Sequence, residues 1–490
     1  MTDAAAAARH SGRGLPAWAW AGVAAAGALP LVALALLGLH PVLLPLLLVA
    51  GVGGVLLLAS TPAALVFTAF AIIPLGIVQV ELAGVTIGLA EALILALCTK
   101  EAALFLLSGE RPSLVVPWRW LLLYIAASLV GVLTGLADGN GLVKVLQDFR
   151  QFTEYTVFYV LVIHRVTDRR LAVRMTAAFL LGALLVAAHG ILQRYTGIGI
   201  PGDQLLSDAI YHGDVRSGSF YGSTPLGALM VLGLGPAIGL FLHTRRPGVR
   251  TMLLIAAAVL LTSAVFTQTR ASWLAIALLL LIVFLSIHKG PGLIALAACG
   301  ALAFAIVLGP MVVERMGKLT ISKSERSLLE RVHYYTAAWR IFQHAPVLGL
   351  GWGCRYDIES ILTNDRYVPL RRVSRPAHVH VPPSTVHSAY LQLLVKSGTL
   401  GLDTFLTLVA SWGLLMLRAR RRRPRDEADH ALFIGLAAAV AAYLFHSGLE
   451  NFFQWPVMSQ SFWMLLGLTT VMARRLLDHG ALEPAHGDTP

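Results

Sequence analysis

A histidine and two arginines lie where apolar segments begin or end, and their types are suited to chemistry on a phosphate-bearing substrate. His387 follows Pro382-Pro383 and Ser384. The prolines stop a preceding helix and Ser384 is a good N-cap, so His387 is predicted in the first turn of the next helix. The N-terminus of a helix disfavours a positive charge, which would keep this imidazole neutral and able to accept a proton.

Arg270 and Arg216 are the candidate anion-binding residues. Arg270 lies between two apolar runs, at or just inside the predicted membrane boundary, and Arg216 precedes another apolar run. An ionisable group at such a depth is costly without a partner, and a guanidinium binds phosphate oxygens in pairs without losing its charge. A histidine satisfied at the membrane interface and an arginine that snorkels to the headgroups are the alternatives.

Sequence motifs for other chemistries are missing. The chain contains no Walker A sequence, HExxH, Cys-x-x-Cys or Gly-x-Ser-x-Gly, and no external Asp-x-Asp pair for a divalent metal. Asp357 and Glu359 alternate after a glycine-rich turn, but the arginines around them favour ion pairing. We therefore expect neither a metal nor another cofactor.

The composition is that of an integral membrane protein. Of the 490 residues, 57% are hydrophobic and 13% charged, and the mean hydropathy is +0.73. Repeated apolar runs of about 20 residues predict helical spans, and therefore an all-α polytopic bundle. Spans are predicted at 17–39, 41–60, 62–80, 85–107, 119–136, 150–166, 174–195, 224–243, 251–268, 272–288, 291–310, 387–417, 430–448 and 456–474. Pairing the first two differently would reduce the number from fourteen to twelve or thirteen.

Basic residues give the orientation and the division of the chain. Clusters at 165–174, 245–250 and 418–425 fall on one side with both termini, and the positive-inside rule makes that side cytoplasmic. We divide the chain into membrane helices at 1–310 with an external segment at 196–223, a large, partly helical external loop at 311–386, further membrane helices at 387–476 and a disordered tail at 477–490.

Much of the net charge of +12 lies in short loops, where it fixes orientation and does not indicate nucleic-acid binding. The external loop at 311–386 is nevertheless basic. Long loops are largely exempt from the positive-inside rule, so the topology stands. The charge of this loop suggests an anionic partner outside the cytoplasm.

Several pieces, in order, resemble the O-antigen ligase and polymerase superfamily. They are Arg216-x-Gly-x-Phe, Thr269-Arg270-x-x-Trp, Arg331, Pro346-Val347-Leu348-Gly349-Leu350-Gly351, His387-Ser388-Ala389-Tyr390-Leu391 and Gly398-Thr399-Leu400-Gly401. Each piece is weak alone, but their order and spacing over the second half of the chain are specific. Ser388 stands where many members have Asn, which leaves the hydrogen-bond partner of His387 open.

The resemblance implies an inner-membrane glycosyltransferase that works at the periplasmic face without a metal. Its donor would be a glycan on a polyprenyl diphosphate such as undecaprenyl diphosphate, and its acceptor lipid A core or another glycan. Carried over residue by residue, His387 would be the general base, Arg216 and Arg270 would bind the diphosphate, and Arg331 would support them. A ligase moves the glycan onto lipid A core, whereas a polymerase joins repeat units.

Two other classes of protein remain as alternatives. A secondary transporter or a flippase for polyprenyl-linked glycans would also have many spans, and would need ionisable residues deep within them. The cluster Glu81, Glu91, Lys100 and Glu101 is the candidate for such a site. A membrane protein with a purely structural role is the remaining alternative.

Overall fold

The computed structural model describes residues 51–57, 59–76, 78–82, 85–108, 117–197, 216–287, 321–354, 356, 386–422 and 426–478. Predicted spans 17–39 and 291–310, most of 41–60 and both termini lie outside these residues. The described chain is almost entirely helical, which confirms the all-α fold class.

The helices are, in chain order, α1 (Thr61–Leu75), α2 (Leu89–Ser108), α3 (Trp118–Ala137), α4 (Leu142–Thr153), α5 (Tyr155–Arg165), α6 (Arg169–Thr196), α7 (Ser223–His243), α8 (Pro247–Phe266), α9 (Arg270–Ser286), α10 (Ile321–His344), α11 (Ala389–Arg421), α12 (Glu427–Ser447) and α13 (Pro456–Asp478). A 3-10 turn at Phe452–Gln454 precedes α13. Strands β1 (Gln79–Leu82) and β2 (Val85–Gly88) form an antiparallel hairpin between α1 and α2.

The observed helices match most predicted spans to within a few residues. Within the described residues, α3, α6, α7, α8, α11 and α12 are each long and apolar enough to cross a bilayer, and the chain is a multi-pass membrane protein. Two predictions need correction. The span at 150–166 is divided at Glu154 between α4 and α5, and the strands β1 and β2, which fall partly within predicted spans, form a β-hairpin.

Close contact between α7 and α12 sets which helix ends lie together. A side chain on Gly235 would collide with the Gly435 carbonyl, and one on Gly239 would touch Leu432. Small residues permit this approach of two backbones inside a membrane. Since 235 pairs with 435 and 239 with 432, the helices are antiparallel, and the start of α7 lies beside the end of α12.

Ion pairs fasten the helices at the opposite end of the bundle, which we call the Arg169 end. The Arg169 guanidinium contacts Asp426 at 2.6 Å and Asp429 at 2.8 Å. Near them, Nδ1 of His243 donates a hydrogen bond to the Ala428 carbonyl at 2.8 Å. These contacts join the start of α6, the end of α7 and the start of α12.

The turn after α10 is inserted into the bundle at Trp352. Gly349, Gly351 and Gly353 adopt positive φ angles of 67°, 76° and 80°, which other residues adopt at a cost. Trp352 is fully buried, and its indole N–H donates to the Ser128 carbonyl at 2.8 Å. A side chain on Gly135 would overlap the backbone of Trp352. The turn therefore packs against α3 at a position where that helix has no side chain.

A buried ion pair holds the same turn from the other side. The Lys396 ammonium donates to Asp148 Oδ2 at 2.8 Å and to the Cys354 carbonyl at 2.7 Å, and Asp148 also accepts from the Gly353 N–H at 3.0 Å. Burial of the Asp148 carboxylate is costly, and its ion pairs with Lys396 and Lys144 offset that cost.

Gly398 divides α11 into a short first part and a long second part. Its φ of 62° and ψ of −162° interrupt the helix, and a side chain there would collide with the Val347 carbonyl. The turn after α10 packs against this break in α11. Thr399 N–H donates to the Pro346 carbonyl at 2.9 Å, and Leu350 N–H donates to the Val395 carbonyl at 2.9 Å. The first part of α11, which His387 precedes, is thereby separated from the long apolar part.

Helix α10 packs along the first part of α11. Ala337, Ala338 and Ile341 form one face of α10 and are buried with Val386 and Val395. This face holds the helix at the end of the bundle where α11 begins, which we call the His387 end.

We predict that Lys396→Met lowers the free energy of unfolding by about 3–5 kcal/mol, because Asp148 loses its buried partner. Lys144→Met is the matched control, since Lys144 pairs with the same carboxylate at 2.9 Å but its side chain is 38% exposed. The control should cost at most about 1 kcal/mol. Reversible unfolding by SDS in bicelles measures both, and equal losses would contradict a dominant role for Lys396.

Candidate active site

His387 lies just before α11 and not in its first turn. Ser388 is the N-cap, with its hydroxyl accepting from the Leu391 N–H at 3.5 Å, and α11 begins at Ala389. The prediction that placed His387 inside the helix is therefore wrong, because capping falls on Ser388 and not on Ser384. His387 itself has a φ of 40°, which is unusual for a residue with a side chain.

Glu450 is the hydrogen-bond partner of His387. Nδ1 of the imidazole lies 2.7 Å from Oε1 of Glu450, in the segment between α12 and α13. A carboxylate accepts, so Nδ1 carries a proton, and Nε2 is an acceptor when the ring is neutral. The His387 side chain is 37% exposed and that of Glu450 is 13% exposed, so the carboxylate is the more buried member of the pair.

Helix α10 supplies two further side chains to this pair. The Tyr334 ring packs on the imidazole, with centroids 4.7 Å apart and planes at 43°. One turn earlier, Arg331 donates through Nη1 to the Leu449 carbonyl at 3.1 Å, next to Glu450. The structure therefore brings Arg331 and His387 together around the Leu449-Glu450 segment.

Arg216 reaches the turn that precedes Arg270. Its Nε donates to the Thr267 carbonyl at 3.2 Å and its Nη2 to the Thr269 hydroxyl at 3.3 Å. Arg270 is the first residue of α9, directly after Thr269. The two half-buried arginines thus lie on adjoining backbone segments although 54 positions separate them in the sequence.

Helix α6 fixes the segment that carries Arg216. The Gln193 side chain accepts from the Gly218 N–H at 3.0 Å and donates to the Ser219 carbonyl at 3.1 Å. The Ser217 hydroxyl donates to the Gly190 carbonyl at 2.6 Å. These bonds satisfy the backbone of an irregular segment next to apolar helices, where unpaired polar groups are costly.

Unusual backbone conformations are concentrated near the candidate residues. Within the described part of the chain, the non-glycine residues with positive φ are Ser219 at 49°, Gln268 at 53° and His387 at 40°. Each is within three positions of Arg216 or Arg270, or is itself the candidate base. Strained conformations persist where the surrounding structure enforces them, and they cluster at functional sites.

The segments with Arg216, Arg270, Arg331 and His387 all lie at the His387 end. The start of α7 and the end of α12 are adjacent there, as their antiparallel packing requires. Tyr221 and Val457, which follow the Arg216 and Glu450 segments respectively, both border Gly76, where an added side chain would touch each of them. The arginine turn and the His387–Glu450 pair therefore belong to one face of the protein.

This face combines a proton acceptor with fixed cationic groups. Nε2 of His387 can take a proton from a hydroxyl, and guanidinium groups can stabilise negative charge on phosphate oxygens. Among the residues that the structure describes, no group of three His, Cys, Asp or Glu side chains could hold a metal ion.

Sequence reasoning missed Glu450 and Tyr334. Glu450 lies in Gly448-Leu449-Glu450-Asn451, a short polar interruption between two apolar helices. An acid in such a position is a candidate functional residue, and that signal was present in the sequence. Tyr334 gives no comparable signal, because its role depends on how α10 packs against α11.

Comparison with known proteins supports the resemblance that the sequence motifs indicate. The chain matches no curated protein sequence. Its residues 255–406 match the family model described as O-antigen ligase. The matched segment contains Arg270, Arg331 and His387, whereas Arg216 and Glu450 lie outside it. Over residues 255–406 the chain is therefore similar to the O-antigen ligase family, and its resemblance to the O-antigen ligase and polymerase superfamily is confirmed.

Proposed function

We propose that the protein is an O-antigen ligase-type glycosyltransferase. It moves a glycan from undecaprenyl diphosphate to an acceptor hydroxyl of lipid A core or a similar molecule, at the periplasmic face of the inner membrane. The observation that carries the proposal is the 2.7 Å contact between His387 Nδ1 and Glu450. It engages Nδ1 and leaves Nε2 of a side chain that is 37% exposed available as the general base.

In the proposed reaction, His387 removes the proton of the acceptor hydroxyl through Nε2. The acceptor oxygen then forms a bond to the anomeric carbon, while the bond from that carbon to the donor phosphate oxygen breaks. The products are the glycosylated acceptor and undecaprenyl diphosphate, with inversion at the anomeric carbon. Glu450 stabilises the imidazolium that forms, because its carboxylate accepts the Nδ1–H.

Arg216 and Arg270 are proposed to bind the donor diphosphate. Bond breakage places additional negative charge on the phosphate oxygens, and fixed guanidinium groups stabilise that charge without a metal. Arg216 is already oriented by Thr267 and Thr269, so little reorganisation is needed on binding. Arg331 is proposed to support the site by fixing Leu449 beside Glu450.

A repeat-unit polymerase of the same superfamily is the alternative for this site, because it uses the same donor chemistry. The acceptor distinguishes the two activities: a ligase glycosylates lipid A core, and a polymerase extends a second lipid-linked glycan. A flippase or secondary transporter would bind the donor without transferring its glycan. An assay that supplies both acceptors separates these outcomes.

Replacing His387 by Ala should reduce glycan transfer by about 10²- to 10⁴-fold, because the general base is removed. The assay uses purified protein in EDTA, undecaprenyl-diphosphate glycan as donor, and lipid A core or a second lipid-linked glycan as acceptor. His333→Ala is the matched control, since His333 is an exposed histidine of α10. Full activity of the His387 variant would refute the base assignment. If the wild type transferred glycan to neither acceptor, the transport alternative would be favoured.

Replacing Glu450 by Gln should lower kcat at least about tenfold while leaving KM for the donor nearly unchanged. Glutamine keeps the shape and an oxygen acceptor for Nδ1–H, but it lacks the charge that stabilises the imidazolium. Glu427→Gln, an exposed residue of α12 at the Arg169 end, serves as the control. An equal loss in kcat and rise in donor KM would point to a general distortion of the site and against this role.

A further inference from the structure

A second group of ionisable side chains lies inside the bundle, away from His387. It consists of Glu91 in α2, Arg150 in α4 and Glu154 at the junction of α4 and α5. Glu91 is ten residues before Glu101, which is about 15 Å along a helix. Glu101 pairs with Arg165, four residues before Arg169 and so at the Arg169 end. With Glu101 at the membrane boundary, a hydrocarbon core about 30 Å thick would place Glu91 near its middle.

Both carboxylates of this group contact the same guanidinium. Arg150 Nε is 3.0 Å from Glu91 Oε1 and 3.4 Å from Glu154 Oε2. The second oxygen of Glu91 accepts from the Gly88 N–H at 3.0 Å. The Glu91 side chain is fully buried, that of Glu154 is 12% exposed, and both carboxylate oxygens of Glu154 are inaccessible to water.

Two further buried polar groups lie next to the carboxyls. They are the hydroxyl of Tyr155, whose side chain is fully buried, and the amide oxygen of Gln460, which is 1% exposed. Tyr155 faces both Glu91 and Glu154 and lies beside Gln460. The thiol of Cys98, on α2, also faces Glu154. These groups provide polar surroundings but no further positive charge.

The charges of this group do not balance. Two carboxylates and one guanidinium leave one excess negative charge, and within the described part of the chain no other cationic side chain forms an ion pair with Glu91 or Glu154. An excess charge inside a membrane protein is costly, and two neighbouring carboxyls relieve that cost by retaining a proton.

We propose that Glu91 and Glu154 share one proton and form a proton-binding site near the middle of the membrane, separate from the His387 site. The proton is taken from water and lies between a carboxylic acid and a carboxylate. A sodium ion would supply the same charge. The guanidinium that touches both carboxyls disfavours it, because a metal cation would have to sit against Arg150.

This site is connected to the architecture of the His387 end through α4. The helix that carries Arg150 also carries Asp148, which holds Gly353 and Lys396. Loss of the shared proton would leave two repelling carboxylates and push Glu154 away from Glu91. The position of α4, and with it the turn at Trp352, would then depend on whether the proton is bound.

Infrared spectroscopy of the full chain in lipid tests the proposal. At neutral pH the wild type should show the carbonyl stretch of a protonated carboxyl group, which is resolved from that of carboxylates. Glu91→Gln and Glu154→Gln should each remove this band, because Arg150 neutralises the single carboxylate that remains. Asp403→Asn, at an exposed position of α11, should retain it.

Several outcomes would overturn the proposal. Absence of the band from the wild type at neutral pH does so without any variant. Loss of the band in one glutamine variant alone would show an isolated buried acid and no shared proton. Loss of the band when sodium chloride replaces choline chloride would identify a sodium site.

The thermal stability of the same proteins gives a second readout. The folded wild type holds a proton that the unfolded chain releases at lower pH. The melting temperature should therefore keep the whole contribution of this site under acidic conditions and fall as the pH rises through the range where the band disappears. Glu154→Gln should not show this fall. An identical fall in both proteins would contradict the proposal.

Discussion

The contact between Lys396 and Asp148 is the constraint on which the His387 end depends. It is buried and shared with the Gly353 N–H and the Cys354 carbonyl, so one ammonium and one carboxylate hold the turn that follows α10. With that turn fixed, α10 is held along the first part of α11. The described part of the long polar segment, residues 321–354, is thereby joined to the bundle.

The candidate site follows from that arrangement, because its residues come from segments far apart in the chain. Helix α10 delivers Arg331 and Tyr334, the residue before α11 delivers His387, and the segment after α12 delivers Glu450. Arg216 is positioned independently, by α6 and by the turn before α9. Arg216, Arg270, His387 and Glu450 lie at helix ends or between helices, whereas Arg331 and Tyr334 project from the middle of α10.

The sequence predicts the helical bundle better than its details. Apolar runs reproduce helices such as α7 and α12 because the membrane fixes both their length and their composition. The division at Glu154 was missed, since the apolar run continues into a segment whose charged residues are paired inside the bundle. Glu450 lies 63 positions from His387, and no local pattern reveals a contact at that separation. The N-cap of α11 is Ser388 and not Ser384. Both are serines, a good capping residue, so the sequence alone does not choose between them and packing decides.

An experimental structure of the protein with undecaprenyl diphosphate bound would test the account most directly. We expect the two phosphates to contact the guanidinium groups of Arg216 and Arg270, with Nε2 of His387 facing the terminal phosphate across a space open to the acceptor. The imidazole should remain hydrogen-bonded to Glu450 in that complex. Density for the diphosphate at another face, or an imidazole turned away from it, would contradict the proposed transferase site.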